Sequence, residues 1–265
     1  MAHDFTFTLS PAATDLLWEQ LELGTPPALF DLPSVGETLE DRARLRAAVH
    51  CDLTERRLAD GGRPDPDVAD ALTALVRFGH AIEGAVLADQ PPRVFRAATN
   101  GRIAVLAART DQKIEFATFR PDGLVRQVLA LAGTARPGPG RSVSYPDPEP
   151  VPATGRHARR AWPDDSAGVL RAAGSPATGH GAERRAAESI LRRPRTRSGW
   201  FTVLGRDRSG RVVPAPQLVW FDTVAGRYLA YRRPGPDGQP WTTCTPADAT
   251  RIGHQLVELV NTVAD

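Results

Sequence analysis

The chain has 265 residues, 41% of them hydrophobic, and a formal net charge of +2, so it can form a substantial core in one large domain or two small ones. No run approaches the roughly 18 consecutive apolar residues that a membrane span needs, and the start of the chain lacks the pattern of a signal peptide. Cys51 and Cys244 lack the spacing of a metal or redox motif, as is typical of a reducing compartment. We therefore expect a soluble, cytoplasmic protein.

Three helices are predicted in the first third of the chain, after a short strand around Phe5 and Phe7. The first helix begins at Ser10–Pro11, because a serine cap followed by proline is a typical helix start. A second helix begins at Thr38, and a third begins at Asp65–Pro66. These helices precede the first group of strands.

The first group of strands, here called the first meander, consists of four strand-like runs. They cover residues 81–86, 93–99, 102–109 and 113–119. Asn100–Gly101 predicts a tight hairpin turn between the second and third runs. Residues 102–109 are apolar on both alternating faces, which indicates a strand covered on both sides. Pro121–Gly123 then leads into a helix with Leu124, Val128 and Leu131 on one face.

The pattern weakens between residues 134 and 180, where prolines and glycines are frequent. We interpret this stretch as a connection between two halves of the molecule. Within it, residues 142–145 are predicted as a short edge strand and residues 164–173 as a short helix. A further helix is predicted over residues 182–191.

A second meander begins after this helix. Its strand-like runs cover residues 200–204, 211–213, 217–222, 227–232 and 241–244. The last helix is predicted to have Thr245 as its cap and Pro246 at its first position. Its apolar stripe is formed by Ala249, Ile252, Leu256, Leu259 and Val263.

The order of a meander followed by a helix therefore occurs twice. We predict an α+β fold in which two related halves share one central antiparallel sheet. Half one covers residues 1–133, the connection covers 134–180 and half two covers 181–265, all within a single domain.

A search for catalytic chemistry finds no convincing site. Gly140–Ser144 resembles a nucleophile elbow but lacks its second glycine. His50 and Cys51 are neighbours on a predicted helix, so their side chains point in different directions. His180 and Glu183 lack a third metal ligand at suitable spacing. We expect a protein that is not an enzyme and that uses no cofactor or metal.

Arginine is distributed unevenly and supports an alternative function. Residues 1–100 carry a balance of −7, which leaves +9 on the rest of the chain. Nine arginines lie within 28 residues: Arg184, Arg185, Arg192, Arg193, Arg195, Arg197, Arg206, Arg208 and Arg211. Such a stripe is typical of phosphate binding, so a nucleic-acid-binding protein is the alternative. Neither a recognition-helix motif nor aromatics spaced for base stacking accompany it, which makes nucleic acid the less favoured partner.

Aromatic residues are concentrated in the second meander. Trp200–Phe201 and Trp220–Phe221 are adjacent pairs, so each pair places one ring on either face of the sheet. The closing helix can cover one face, and the first half of the chain or a partner must cover the other. Aromatic side chains are typical anchors of protein interfaces, which favours a protein-binding surface here.

Four segments together resemble the EspG family, the secretion-associated proteins of type VII (ESX) secretion in actinobacteria. They are Leu16–Leu21, Gly140–Ser144, Val219–Leu229 and Pro246–Asp248, and the resemblance extends over the chain apart from about residues 145–180. It implies quasi-twofold halves flanked by helical bundles. It also implies a cytosolic chaperone or specificity adaptor that binds helical PE–PPE heterodimers at their apolar tip and keeps them soluble until export.

From the aromatic surface and this resemblance we predict where the partner binds. The docking surface would combine the Asn100–Gly101 turn, the strands around Trp220 and the last helix. The predicted contact residues are Asn100, Gly101, Phe201, Leu218, Trp220, Asp222, Tyr228, Ala230, Arg232, Trp241 and His254. The free protein could form a homodimer through the same surface.

Overall fold

The structure is a computed structural model, which describes residues 5–87, 92–146, 181–235 and 238–263. It confirms the predicted α+β class with one large antiparallel sheet. The predicted helix over residues 164–173, His180 and most of the predicted connection lie outside the described residues.

The first half begins with a short strand and three helices, followed by four strands and a fourth helix. The strands are β1 (Thr6–Leu9), the small pair β2 (Ala59–Asp60) and β3 (Arg63–Pro64), β4 (His80–Val86), β5 (Arg93–Thr99), β6 (Ala104–Arg109) and β7 (Ile114–Phe119). The helices are α1 (Pro11–Gln20), α2 (Leu39–Glu55), α3 (Pro66–Ala74) and α4 (Leu124–Ala132). The four predicted runs of the first meander are thereby confirmed as β4 to β7.

In the second half, an outer strand and a helix again precede the strands of the meander, and a helix follows them. Its strands are β8 (Val143–Pro146), β9 (Arg195–Arg206), β10 (Val212–Pro214), β11 (Leu218–Thr223), β12 (Gly226–Pro234) and β13 (Pro240–Pro246). Its described helices are α5 (Gly181–Leu191) and α6 (Ala249–Thr262). β8 confirms the predicted edge strand inside the connection, since it pairs with β13 at the border of the sheet.

All strands except β2 and β3 join one sheet in the order β1-β7-β6-β5-β4-β9-β11-β12-β13-β8, with β10 paired to β9. The two meanders meet at the antiparallel pair β4–β9, so each half contributes five strands to this order. Such an arrangement is consistent with the single domain that we propose. In it, the second half takes its outer strand from β8, before residue 181.

The register of the sheet gives the two halves an approximate twofold relation. Gly84 of β4 is paired with Phe95 of β5, and Gly199 of β9 is paired with Trp220 of β11. At either glycine a Cβ atom would overlap the large ring of the paired residue and the backbone of the opposing central strand. Both halves therefore use a glycine at the seam to let a neighbouring ring lie across the strand.

Helices cover both faces of the sheet. On one face α4 and α6 pack against each other and bury Val128 and Leu256 over Phe95 and Trp220. On the opposite face, α1, α2 and α3 cover the first half, and α5 covers the second half through Ala187, Ile190 and Leu191. The protein therefore has a hydrophobic core on each face of the sheet.

The predicted helix starts are confirmed for the first three helices and wrong for the last. The side chains of Ser10, Thr38 and Asp65 each accept a hydrogen bond from a backbone N–H of the first turn. In α6 the cap is Asp248, whose carboxylate accepts from the N–H of Arg251. Thr245 and Pro246 instead end strand β13, because pairing with β12 extends further than the sequence pattern indicated.

Candidate protein-binding surface

The large rings of the second meander lie in the interior. Trp220 and Phe201 are fully buried under α4 and α6, with their ring centroids 6.3 Å apart. Phe221 and Tyr228 are fully buried on the opposite face beneath α5, with ring centroids 5.6 Å apart. The second face of the sheet is therefore covered by the chain's own helix, and a partner is not needed to bury these rings.

A buried arginine organises this half of the sheet. Arg227 is 0% exposed, and its Nε and Nη2 atoms bind the two carboxylate oxygens of Asp222 at 2.6 and 2.9 Å. Its guanidinium also donates to the carbonyl oxygens of Ala132 and Gly133, at the end of α4, and lies 4.6 Å from the ring centroid of Trp220. A charge this deep is tolerated because every side of the guanidinium has a partner.

The backbone of Arg227 fixes two further segments. Its N–H donates to Arg136, and its carbonyl oxygen accepts from Gly138 and from Ala247. One residue thus holds the end of α4, the segment after it and the entry to α6. These segments border the groove described next.

An open groove runs along α6, on the side that faces away from α4. It has a volume of about 600 Å³ and is lined by Pro137, Pro246, Asp248, Thr250, Arg251, His254, Gln255 and Glu258. Both signs of charge are present, and Gln255 donates to Glu258 within the wall. An open polar groove suits a segment of polypeptide better than an enclosed small molecule, since its walls offer donors and acceptors along their length.

An exposed apolar side chain lies at the same end of the sheet, at the tip of the β11–β12 hairpin. Val224 is 85% exposed, next to the buried Thr223, whose hydroxyl closes the turn by donating to Gly226. A single exposed valine is ordinary on a protein surface. Its place on a rigid hairpin near the α6 groove makes it a candidate contact.

The structure divides the predicted contact residues into two groups. Phe201, Leu218, Trp220, Asp222, Tyr228 and Ala230 are buried, so in this conformation their side chains offer no surface to a partner. Asn100, Gly101, Arg232 and His254 are exposed, and Trp241 is half-buried. The buried group instead supports the surface, as Asp222 does through Arg227.

The exposed group does not form one continuous patch. Trp241 of β13 is paired with Arg233 of β12, so the side chains of Arg232 and Trp241 point to opposite faces of the sheet. His254 lines the α6 groove. Asn100 lies at the β5–β6 turn, where its side chain accepts from the N–H groups of Arg102 and Ile103. Four strand spacings, about 19 Å, separate β5 from β12.

Sequence reasoning missed the Asp222–Arg227 pair and the groove residues Pro137, Arg251 and Glu258. The pair could have been found, since the predicted turn over residues 223–226 places positions 222 and 227 opposite each other. The groove could not, because it depends on how α6 lies over the sheet.

The arginines of the stripe are dispersed over separate surfaces. Arg193 and Arg195 lie over the rings of Tyr228 and Phe221, at 5.9 and 5.2 Å from the centroids, whereas Arg197 lies on the opposite face over Trp220. Arg206, at the other end of β9, donates to the carbonyl oxygens of Phe78 and Val76. No continuous phosphate-binding track results from this placement.

Chemistry-bearing groups are sparse in the part of the chain that the structure describes. No cluster of three or more His, Cys, Asp or Glu side chains suited to a metal occurs there. Burial raises the pKa of the Cys244 thiol to about 12, so this group remains protonated and unreactive at neutral pH. Among the helices within the described ranges, none combines the length and apolar character that crossing a bilayer requires.

These features define a class of α+β protein, in which a quasi-twofold antiparallel sheet carries helices on both faces. The model of the EspG family matches residues 10–258, and the chain therefore belongs to the EspG family. This confirms the resemblance seen in the sequence.

A solved structure shares this fold over nearly its whole length. It is that of the Mycobacterium tuberculosis type VII secretion system chaperone EspG5 in complex with the PE25–PPE41 dimer. The likeness has a TM-score of 0.65 at 16% sequence identity and covers 98% of this chain and 96% of that chain. A comparison with curated proteins finds no match.

Proposed function

We propose that this protein is a cytoplasmic chaperone of type VII secretion that binds a PE–PPE-type heterodimer, here called the client, and keeps it soluble until export. The observation that carries the proposal is family membership over residues 10–258, together with a fold shared with a chaperone solved with such a dimer. Covering an apolar patch of the client shifts its equilibrium from self-association towards the soluble complex. The role is binding, with no bond made or broken.

The client would contact the second half around the α6 groove and the β11–β12 hairpin. His254 and Arg251 supply hydrogen-bonding groups along the groove, and Val224 supplies an exposed apolar contact. Arg232, Trp241 and the Asn100–Gly101 turn remain proposed as additional contacts, which a long client could reach from separate parts of the surface. Without the client, the same surface could mediate a homodimer.

Co-expression with each PE–PPE pair of the source organism tests this function. We expect one pair to co-elute with the protein on size exclusion at moderate salt, and to precipitate or self-associate when expressed without it. Failure of every pair to form a complex would contradict the proposal. If the organism encodes no such pair, the same experiment is performed with its other helical type VII substrates.

A further inference from the structure

Five arginines lie on segments that adjoin each other near the start of β9, and they are here called the arginine cluster. They are Arg136, Arg141, Arg192, Arg193 and Arg195. Two hydrogen bonds bring their segments together, because the hydroxyl of Tyr228 accepts from Arg193 and donates to the carbonyl oxygen of Pro139. Residues that are up to 59 positions apart in the chain thus lie on adjoining segments.

Among the residues that the structure describes, few carboxylates balance this charge. Glu188 binds Arg184 and, at 3.4 Å, Arg192, whose side chain is 79% exposed. Asp222 is already paired with Arg227. Within the described ranges, no carboxylate forms an ion pair with Arg193 or Arg195. The described part of this surface therefore carries an excess of positive charge that an acidic ligand would neutralise.

Buried rings hold two of these guanidinium groups in place. Arg193 and Arg195 lie over Tyr228 and Phe221, at 5.9 and 5.2 Å from the ring centroids. Burial also lowers the pKa of Arg195, which is consistent with a partly desolvated cation. Guanidinium groups ordered in this way lose less conformational freedom when they bind a carboxylate.

We propose that the arginine cluster binds an acidic, Asp- or Glu-rich segment of the client. This inference rests on the proposed function and adds to it the charge that the client must present. The cluster adjoins the α6 groove through Pro137, which follows Arg136 and lines the groove wall. A client segment that leaves the groove at this end would pass over the arginines.

A protein segment fits the cluster better than a nucleic acid. Single-stranded nucleic acids are bound by basic grooves with aromatic rings on which bases stack. Here Phe221 and Tyr228 are fully buried, so they offer no free ring face. Bidentate pairing of guanidinium with carboxylate needs no such ring.

A charge-reversal pair with a matched control tests the proposal. R136E/R192E reverses two exposed cations of the cluster that do not stack on core rings, so we expect the fold to be retained, which circular dichroism checks. R208E/R211E makes the same change at exposed positions of the β9–β10 turn, at the opposite end of β9. Binding of the co-purified PE–PPE heterodimer is measured with the full chain at low and at high salt.

We expect R136E/R192E to weaken binding about tenfold at low salt, mainly through the association rate, and to remove most of its salt dependence. R208E/R211E should bind as the wild type does. Equal behaviour of the two variants, or wild-type affinity in R136E/R192E, would overturn the proposal while leaving the proposed function intact. A wild-type protein that binds no heterodimer would overturn both.

A fluorescent single-stranded oligonucleotide tests whether the cluster binds nucleic acid instead of an acidic protein segment. The proposal expects weak binding of this probe that is lost as salt rises. If the oligonucleotide binds tightly and only its binding is lost in R136E/R192E, the cluster is a nucleic-acid site and the proposal is wrong.

Discussion

The two halves of the sheet solve the same packing problem with different chemistry. Aligning Gly84 with Gly199 also aligns Phe95 with Trp220, and the register then places Ala97 and Leu106 where the second half has Asp222 and Arg227. An apolar cross-strand pair in one half is thus a buried ion pair in the other. The comparison shows that the ion pair is not required by the sheet itself.

The two pairs differ because only the pair in the second half must bind other segments of the chain. Ala97 and Leu106 need only pack beneath α4. Arg227 also binds the last carbonyl groups of α4 and, through its backbone, the segment over residues 136–138. A side chain with five donors can join these segments, whereas a leucine cannot.

Removal of the buried arginine should have the largest effect. Arg227→Leu leaves Asp222 as an unpaired buried charge, and we expect the free energy of unfolding to fall by about 3–5 kcal/mol. Urea denaturation measures this loss. D222A/R227L, which copies the pair of the first half, should recover at least half of it, because no charge is then left uncompensated. A double variant no more stable than R227L would show that the two pairs are not equivalent.

Adding a methyl group at the glycines of the central strands β4 and β9 should have the next largest effect on stability. In Gly199→Ala the new methyl group would overlap the carbonyl oxygen of Ala85 and the ring of Trp220, at a cost of about 1–3 kcal/mol. Gly84→Ala should cost a similar amount, since its methyl group would meet Phe95 in the same way. Gly181→Ala is the control, where only the flexible end of Arg185 is near. Thermal unfolding compares them, and a loss at one seam glycine alone would break the twofold relation.

The tips of the β11–β12 and β5–β6 hairpins should contribute differently to client binding. Val224→Asp alters an exposed side chain, so we expect unchanged stability but affinity for the client reduced about tenfold, equivalent to roughly 1.4 kcal/mol. Asn100→Asp at the corresponding tip keeps the acceptor oxygen of the turn, and its effect on affinity should be smaller. Calorimetric titration of the client measures both. Greater loss for N100D would place the main contact in the first half.

Removal of the helix cap of α6, which has no counterpart at the start of α4, should have the smallest effect on stability. α6 has the side-chain cap Asp248, whereas α4 follows Gly123, which provides none. Asp248→Ala should cost about 1 kcal/mol, and Asp248→Asn should retain most of the stability because its oxygen can still accept from Arg251. Wild-type stability of Asp248→Ala in urea would show that the cap is dispensable.

Much of the fold was predictable because its signals are local. Strand-like runs of residues predicted β4 to β7 within two residues of their ends, and Ser10, Thr38 and Asp65 predicted three helix starts. The start of α6 was misplaced because Thr245 and Pro246 satisfy the rules for a helix cap but are held in β13 by pairing with β12. Local preference gave way there to sheet hydrogen bonds.

The candidate site was predicted less well, since an adjacent aromatic pair shows that two faces carry rings but not what covers them. α5 buries Phe221 and Tyr228, and α4 with α6 buries Trp220. The surface left for a client is therefore set by helices placed far along the chain from the rings.

The sequence by itself determined the class of the fold, the two meanders and the family, because these depend on side-chain period, turn residues and short motifs. Only the tertiary structure decided which rings are core, that Arg227 joins three segments, and that the segments carrying Arg141 and Arg193 meet at Tyr228. These properties depend on contacts between distant parts of the chain, and a one-dimensional pattern contains no distances between them.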